Sequence, residues 1–132
     1  MENIYLELLN KAKEASEYAY CPYSKFSVGA CVLYESKQKY CGCNVENASY
    51  GLVLCAERNA ISTAIAQGEV TKIKAIAIYS PQQKKCMPCG ACRQWLSEFA
   101  GDDVEIILED ENSKPVVLSL NEIFPFGFKL EK

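Results

Sequence analysis

The sequence predicts an α/β fold: a mixed β-sheet of about five strands with helices packed on it, forming a single domain over residues 1–132. Three observations carry that expectation. Apolar residues repeat with helical period at the start of the chain, strand-like and helical runs alternate through its middle, and two strand pairs are joined by turns too short for a crossover.

Ile4, Leu8, Ala12, Ala15 and Ala19 recur at three- and four-residue steps, so residues 2–19 read as an amphipathic helix. Pro22 stops it, because proline disfavours helix in the residue before it. Phe26 to Tyr34 is rich in β-formers, and Gly29 inside it suggests a bulge or a close backbone approach. Lys39 to Val45 reads as a shorter strand, hairpin-paired with the first across Glu35–Gln38. Cys55 to Gln67 is helical, with Ala56, Ala60 and Ala64 on one stripe, Ile61 and Ile65 beside it, and Gly68 past its end. The apolar run from Ile73 to Ile78 suggests a strand covered on both faces. A loop then leads into a helix from about Gly90 to Ala100, closed by Gly101. Val104 to Leu108 and Val116 to Leu120 read as strands around a polar turn, and residues 121–132 as a tail carrying Phe124, Phe126 and Phe128.

Composition narrows the function. With 49% hydrophobic and 23% charged residues, the chain is neither disordered nor fibrous. A net charge of −3 lacks the basic footprint of a duplex nucleic-acid binder, so no polynucleotide partner is expected. Without histidine, Ser-His-Asp and Cys-His catalysis are excluded, as is any zinc site that needs imidazole. No apolar stretch is long enough to span a membrane, and Met1 to Lys13 does not read as a signal peptide, so a cytoplasmic location is expected. There thiols stay reduced, and the eight cysteines pose a metal or redox question rather than a disulfide framework.

Cys86-Met87-Pro88-Cys89-Gly90-Ala91-Cys92 holds two overlapping C-x-x-C pairs. Cys89 and Cys92 open a helix and share one face of it. Helix N-termini favour anions, which prepares thiolates for a metal. Cys55 opens another helix, and two such starts facing each other would gather three thiols and leave one coordination position open, the mark of a catalytic zinc. Glu57 follows in the first helical turn, where a carboxylate leans over a metal at Cys55 without ligating it and is placed to shuttle protons. Read singly, it is a first-turn residue that complements the helix dipole; beside three such cysteines the proton-shuttle reading is preferred.

Cys55-Ala56-Glu57-Arg58 together with Pro88-Cys89-Gly90-Ala91-Cys92-Arg93-Gln94 resembles the cytidine deaminases, in their small homotetrameric form with a three-cysteine zinc site. Residues 21–30 resemble that family's opening motif, and Asn44-Val45-Glu46-Asn47-Ala48-Ser49-Tyr50 its nucleoside-binding stretch. The resemblance implies a cytidine deaminase-like fold, one Zn²⁺ per chain on Cys55, Cys89 and Cys92, and Glu57 as general acid and base. It implies that Asn44 and Glu46 hold the ribose, that Phe26 and Ala56 lie against the nucleoside, and that Arg58 hydrogen-bonds ligand sulfur. Three thiolates around Zn²⁺ leave a net negative charge, and a guanidinium beside them withdraws part of it. Read singly, Arg58 is an ordinary helix residue, and Asn44 and Glu46 are loop caps. Pro125-Phe126-Gly127-Phe128 matches the family's aromatic tail, which implies a homotetramer with shared active sites, closed by Phe128 and more weakly by Tyr50 of a neighbour. The implied reaction is hydrolytic deamination of cytidine and deoxycytidine in pyrimidine salvage.

The chain departs from the family pattern at Met87, where serine is common, and in the extra thiol of Cys86. Cys86 leaves open a closed four-thiolate structural site or a thiol-redox module. A related deaminase of a nucleoside antibiotic such as blasticidin S is the other alternative. Cys21, Cys31, Cys41 and Cys43 are expected to act as small apolar residues.

Overall fold

The structure, a computed structural model, describes residues 2–130. Leu8, Leu9 and Ala12 line the inner face of helix α1 (Glu2–Ser16) and bury it against Cys31, Ala75, Ala77 and Ile107 of a sheet. Beyond Ser16 the expected helix gives way to i→i−3 bonds through Ala19, and Tyr20 leaves it to exchange backbone bonds with Asn44 and Glu46. That pairing ends α1 a turn earlier than Pro22 alone would.

The sheet comprises β1 (Gly29–Tyr34), β2 (Lys39–Cys43), β3 (Ile73–Tyr79), β4 (Ala100–Glu109) and β5 (Pro115–Ser119), in the order β2-β1-β3-β4-β5. Strand β1 runs antiparallel to both β2 and β3, β3 and β4 are parallel, and β5 returns antiparallel to β4. This is the expected mixed sheet. Helix α2 (Ala56–Ala66) covers the face opposite α1, and α3 (Gly90–Phe99) connects β3 to the parallel β4. Ala30, Val32, Ile61, Ile76, Ile78, Leu96 and Ile106 fill the core on that side. Among the described residues, no helix is long and apolar enough to cross a membrane.

Further boundaries differ from expectation for identifiable reasons, and β4 begins at Ala100, four residues before the expected Val104. Helix α3 stops at Phe99, before Gly101, because Ala100 already pairs with Ile73 and draws the chain into β4. Strands β1 and β2 are each shorter than read, since the Asn44 side chain takes the place of a backbone partner. Its Oδ1 accepts from Val28 N at 2.8 Å, and its Nδ2 donates to Phe26 O at 2.8 Å. The tail contains a short helix α4 (Leu120–Ile123), started by a capping box in which Ser119 Oγ accepts from Glu122 N and Glu122 Oε1 accepts from Ser119 N.

Gly29 marks a close approach rather than a bulge. A Cβ there would stand 1.9 Å from Ala12 O and 2.5 Å from Ser16 N, so α1 lies directly on the backbone of β1. On the opposite face, a Cβ at Gly42 would stand 2.5 Å from Ala60 N of α2. Gly29→Ala is expected to lower stability by at least the roughly 1–3 kcal/mol typical of overpacking, read as an earlier urea midpoint. An unchanged midpoint would mean that α1 shifts without cost.

Candidate active site

Cys55 and Cys89 occupy the N-cap positions of α2 and α3, where serine or aspartate would normally turn back on the helix. Neither thiol caps its own helix, so both are free to point toward the space between the two N-termini. Cys92, one turn into α3 and buried, completes the group: the three sulfurs all lie within 4.8 Å of one another. Cys55 Sγ and Cys89 Sγ are 3.7 Å apart. Thiolates about 2.3 Å from a tetrahedral zinc stand roughly 3.8 Å from each other, so this donor set fits that ion. Cys86 is not in the group. It packs into the apolar core, and burial pushes its thiol up to about 11. The expected closed four-thiolate alternative therefore has no fourth sulfur in place.

Charge is distributed unevenly in the cluster. A hydrogen bond from Cys92 does most to bring the Cys55 thiol down to about 5, with Arg58 and Cys89 adding to it. The donor, Cys92, is correspondingly pushed up. Arg58 Nη2 donates to Cys55 Sγ at 3.3 Å and to Val53 O at 3.3 Å, which fixes the guanidinium against that sulfur. Glu57 is only 4% exposed. Burial pushes its carboxyl up to about 7 and the charge of Cys55 adds to this, while a hydrogen bond with Cys92 works against it. A carboxyl poised near neutrality beside a thiolate cluster is suited to taking and returning a proton.

The expected nucleoside stretch is tied to this centre by the backbone. Val45 and Leu54 exchange two N–H···O bonds of 2.9 Å, and Asn59 Nδ2 donates to Cys43 O at 3.0 Å. Asn44 to Glu46 thus run beside the residue that precedes Cys55. Glu46 Oε1 accepts from Tyr23 N and Ser24 N at 3.0 and 3.2 Å, and Oε2 accepts from the Ser24 hydroxyl. These donors hold its carboxyl below the usual range. Glu46, Tyr50 and Val53 line one cavity of about 260 Å³ with Tyr23 and Ser24. Asn44 and Ala56 are buried, and Phe26 is half-buried against the core. Two expected residues lie away from the enclosed part: Tyr50 and Phe128 are 78% and 64% exposed.

Sequence reasoning missed several supports. Ser24 grips Glu46 twice, and the positive φ of 59° at the following Lys25 turns the loop that allows it. Arg93 joins the loop before α3 to the tail, its Nε donating to Pro88 O at 2.8 Å and its Nη1 to Ile123 O at 2.7 Å. Gln94 Nε2 donates to Phe128 O at 2.7 Å. The serine-lysine step and the paired Arg93-Gln94 after Cys92 were the available signals. Of the four remaining cysteines, Cys31 is buried as expected, but Cys41 is exposed.

Residues 3–108 match the family model described as the cytidine and deoxycytidylate deaminase zinc-binding region. The chain is 38% identical over 125 residues to a cytidine deaminase of Sporosarcina psychrophila, covering 95% of this chain and 91% of that one. It is 39% identical over 124 residues to a cytidine deaminase of Mycobacterium tuberculosis, covering 94% and 89%. Among solved structures, the cytidine deaminase of Burkholderia pseudomallei superposes with a TM-score of 0.85 at 40% identity, covering 93% of this chain and 98% of that one.

Proposed function

The chain belongs to the cytidine and deoxycytidylate deaminase zinc-binding family, and from that premise we propose that it hydrolyses cytidine and deoxycytidine to uridine and deoxyuridine, releasing ammonia, in pyrimidine salvage in the cytoplasm. The observation that carries this reading is the buried Glu57 beside three thiols gathered at two helix N-termini. We read residues 1–132 as one catalytic domain, with Cys55, Cys89 and Cys92 holding one zinc per chain. When bound, the metal supplies Lewis acidity that brings the pKa of water toward about 7.

Glu57 takes a proton from the attacking water and delivers it to N3 of the pyrimidine, which makes C4 electrophilic. The water oxygen bonds to C4, and the same carboxylate then takes the proton of the new C4 hydroxyl and passes it to the departing amine. The C4–N bond breaks, ammonia leaves, and a carbonyl remains at C4. Arg58 holds Cys55 as thiolate and draws charge from it. Asn44 and Glu46 meet the sugar. Each keeps capacity for it: Glu46 uses three acceptor positions of about four, and Asn44 retains one N–H and one lone pair. Phe26 and Ala56 form the wall beside the base.

The direct test is loss of the cytidine absorbance band on adding the purified, zinc-loaded protein, with and without a chelator. No loss in the untreated sample would overturn the reading.

We place the working form as a homotetramer with shared active sites. The support is the exposed apolar run Tyr50, Leu52 and Leu54 immediately before Cys55, together with exposed Phe126 and Phe128. A neighbour's Phe128, with Tyr50 as the weaker contributor, then stacks on the pyrimidine. Stacking an aromatic on a base is worth about 1–3 kcal/mol, so Phe128→Ala is expected to weaken cytidine binding roughly 5- to 150-fold with zinc content unchanged. Sedimentation that finds a fully active monomer would remove both the shared site and this role for Phe128.

A further inference from the structure

We infer that Cys41 and Cys31 form a thiol–disulfide exchange site for low-molecular-weight disulfides, in which Cys41 meets the reagent and Cys31 resolves the adduct. The two residues stand directly opposite each other in the antiparallel β1–β2 pair, so their side chains leave the same face of the sheet. Directly opposed residues have Cα atoms roughly 4.5–5.5 Å apart, inside the span of about 4.4–6.8 Å that a disulfide bridges.

Their exposures are opposite, which divides the roles. Cys31 is 0% exposed, roofed by Leu8, Leu9 and Ala12 of α1. Cys41 is exposed and borders an open cavity of about 340 Å³, with Lys11, Glu14, Tyr18 and Cys43 around it. A small disulfide can therefore reach Cys41 but not Cys31. A hydrogen bond from Cys31 favours the thiolate of Cys41, Lys11 adds to this, and burial and Glu14 oppose it; the balance brings Cys41 down to about 7. Cys43 shares the face, but its partner across the strand is Gly29, which offers no thiol. A metal role is disfavoured, since among the described residues only Cys55, Cys89 and Cys92 gather three such ligands within 4.8 Å.

The chemistry balances without a further reactant. The Cys41 thiolate attacks one sulfur of a disulfide RSSR, forming Cys41–S–S–R and releasing RS⁻. Cys31 then gives up its proton, attacks the Cys41 sulfur and releases the second RS⁻, and both thiolates leave as RSH. Two cysteine thiols are oxidised to one disulfide, and one small disulfide is reduced to two thiols.

The test uses the full-length, zinc-loaded protein with oxidised glutathione as probe, followed by alkylation and peptide mapping without reductant. The expected result is a Cys31–Cys41 linked peptide and loss of two of the eight thiols. Cys31→Ala is expected to trap a glutathione adduct on Cys41, and Cys41→Ala to leave Cys31 unmodified. Both variants should keep basal deaminase activity. A stable adduct on Cys41 in the unaltered protein, a bridge to Cys43 or Cys21 instead, or no modification at Cys41 would each overturn the proposal.

Discussion

Glu57→Gln is expected to bind zinc normally and to lose turnover by roughly 10²–10⁴-fold, the range that proton transfer by one positioned group supplies. Glutamine has the same shape and fits the same buried position at the start of α2, so the fold and the three thiols stay as they are. What it lacks is an ionisable proton. The reaction needs one group to move protons twice, first toward N3 and then toward the departing amine, and an amide does neither. Metal analysis and the rate of cytidine absorbance loss, measured on one preparation, separate the two effects. Near-normal turnover would remove Glu57 from the mechanism, and loss of zinc would make it a ligand instead.

A still larger loss is expected when any one of Cys55, Cys89 or Cys92 becomes serine. Zinc and activity should fall together to background, because two thiols and a water cannot replace three thiolates held at two helix N-termini. Cys86→Ser is the informative control. It buries a hydroxyl in the apolar core and should cost about 1–3 kcal/mol in stability, yet leave zinc content and kcat in place. Should Cys86→Ser lose the metal while Cys55→Ser keeps it, the ligand set is wrong.

Much of this architecture was legible in the residues themselves. Cys55 and Cys89 stand 34 positions apart, yet each begins a helical pattern whose N-terminus favours a thiolate, and the resemblance implied that the two starts meet. The apolar run at Ile73–Ile78 likewise announced a strand covered by helices on both sides. Pairing order was not legible. Nothing local says that β1 would sit between β2 and β3, because that depends on α1 and α2 each claiming a face at Gly29 and Gly42. The double use of Asn44 was hidden for a related reason: a side-chain amide that imitates backbone pairing has no periodic signature. The helix in the tail does have a local signal, since Ser119 and Glu122 have the spacing of a capping box.

Arg93 gives the assembly of this molecule a schedule. Its guanidinium holds Pro88 O, next to Cys89, and Ile123 O, 30 residues further along. Ribosomes add about 5–20 residues per second, so roughly 2–6 s separate the making of Arg93 from the making of its second partner. During that interval a nascent chain already carries Cys55, Cys89 and Cys92, but only one of Arg93's two partners. The second anchor of the loop that carries Cys89 therefore comes from a segment made after all three clustered cysteines.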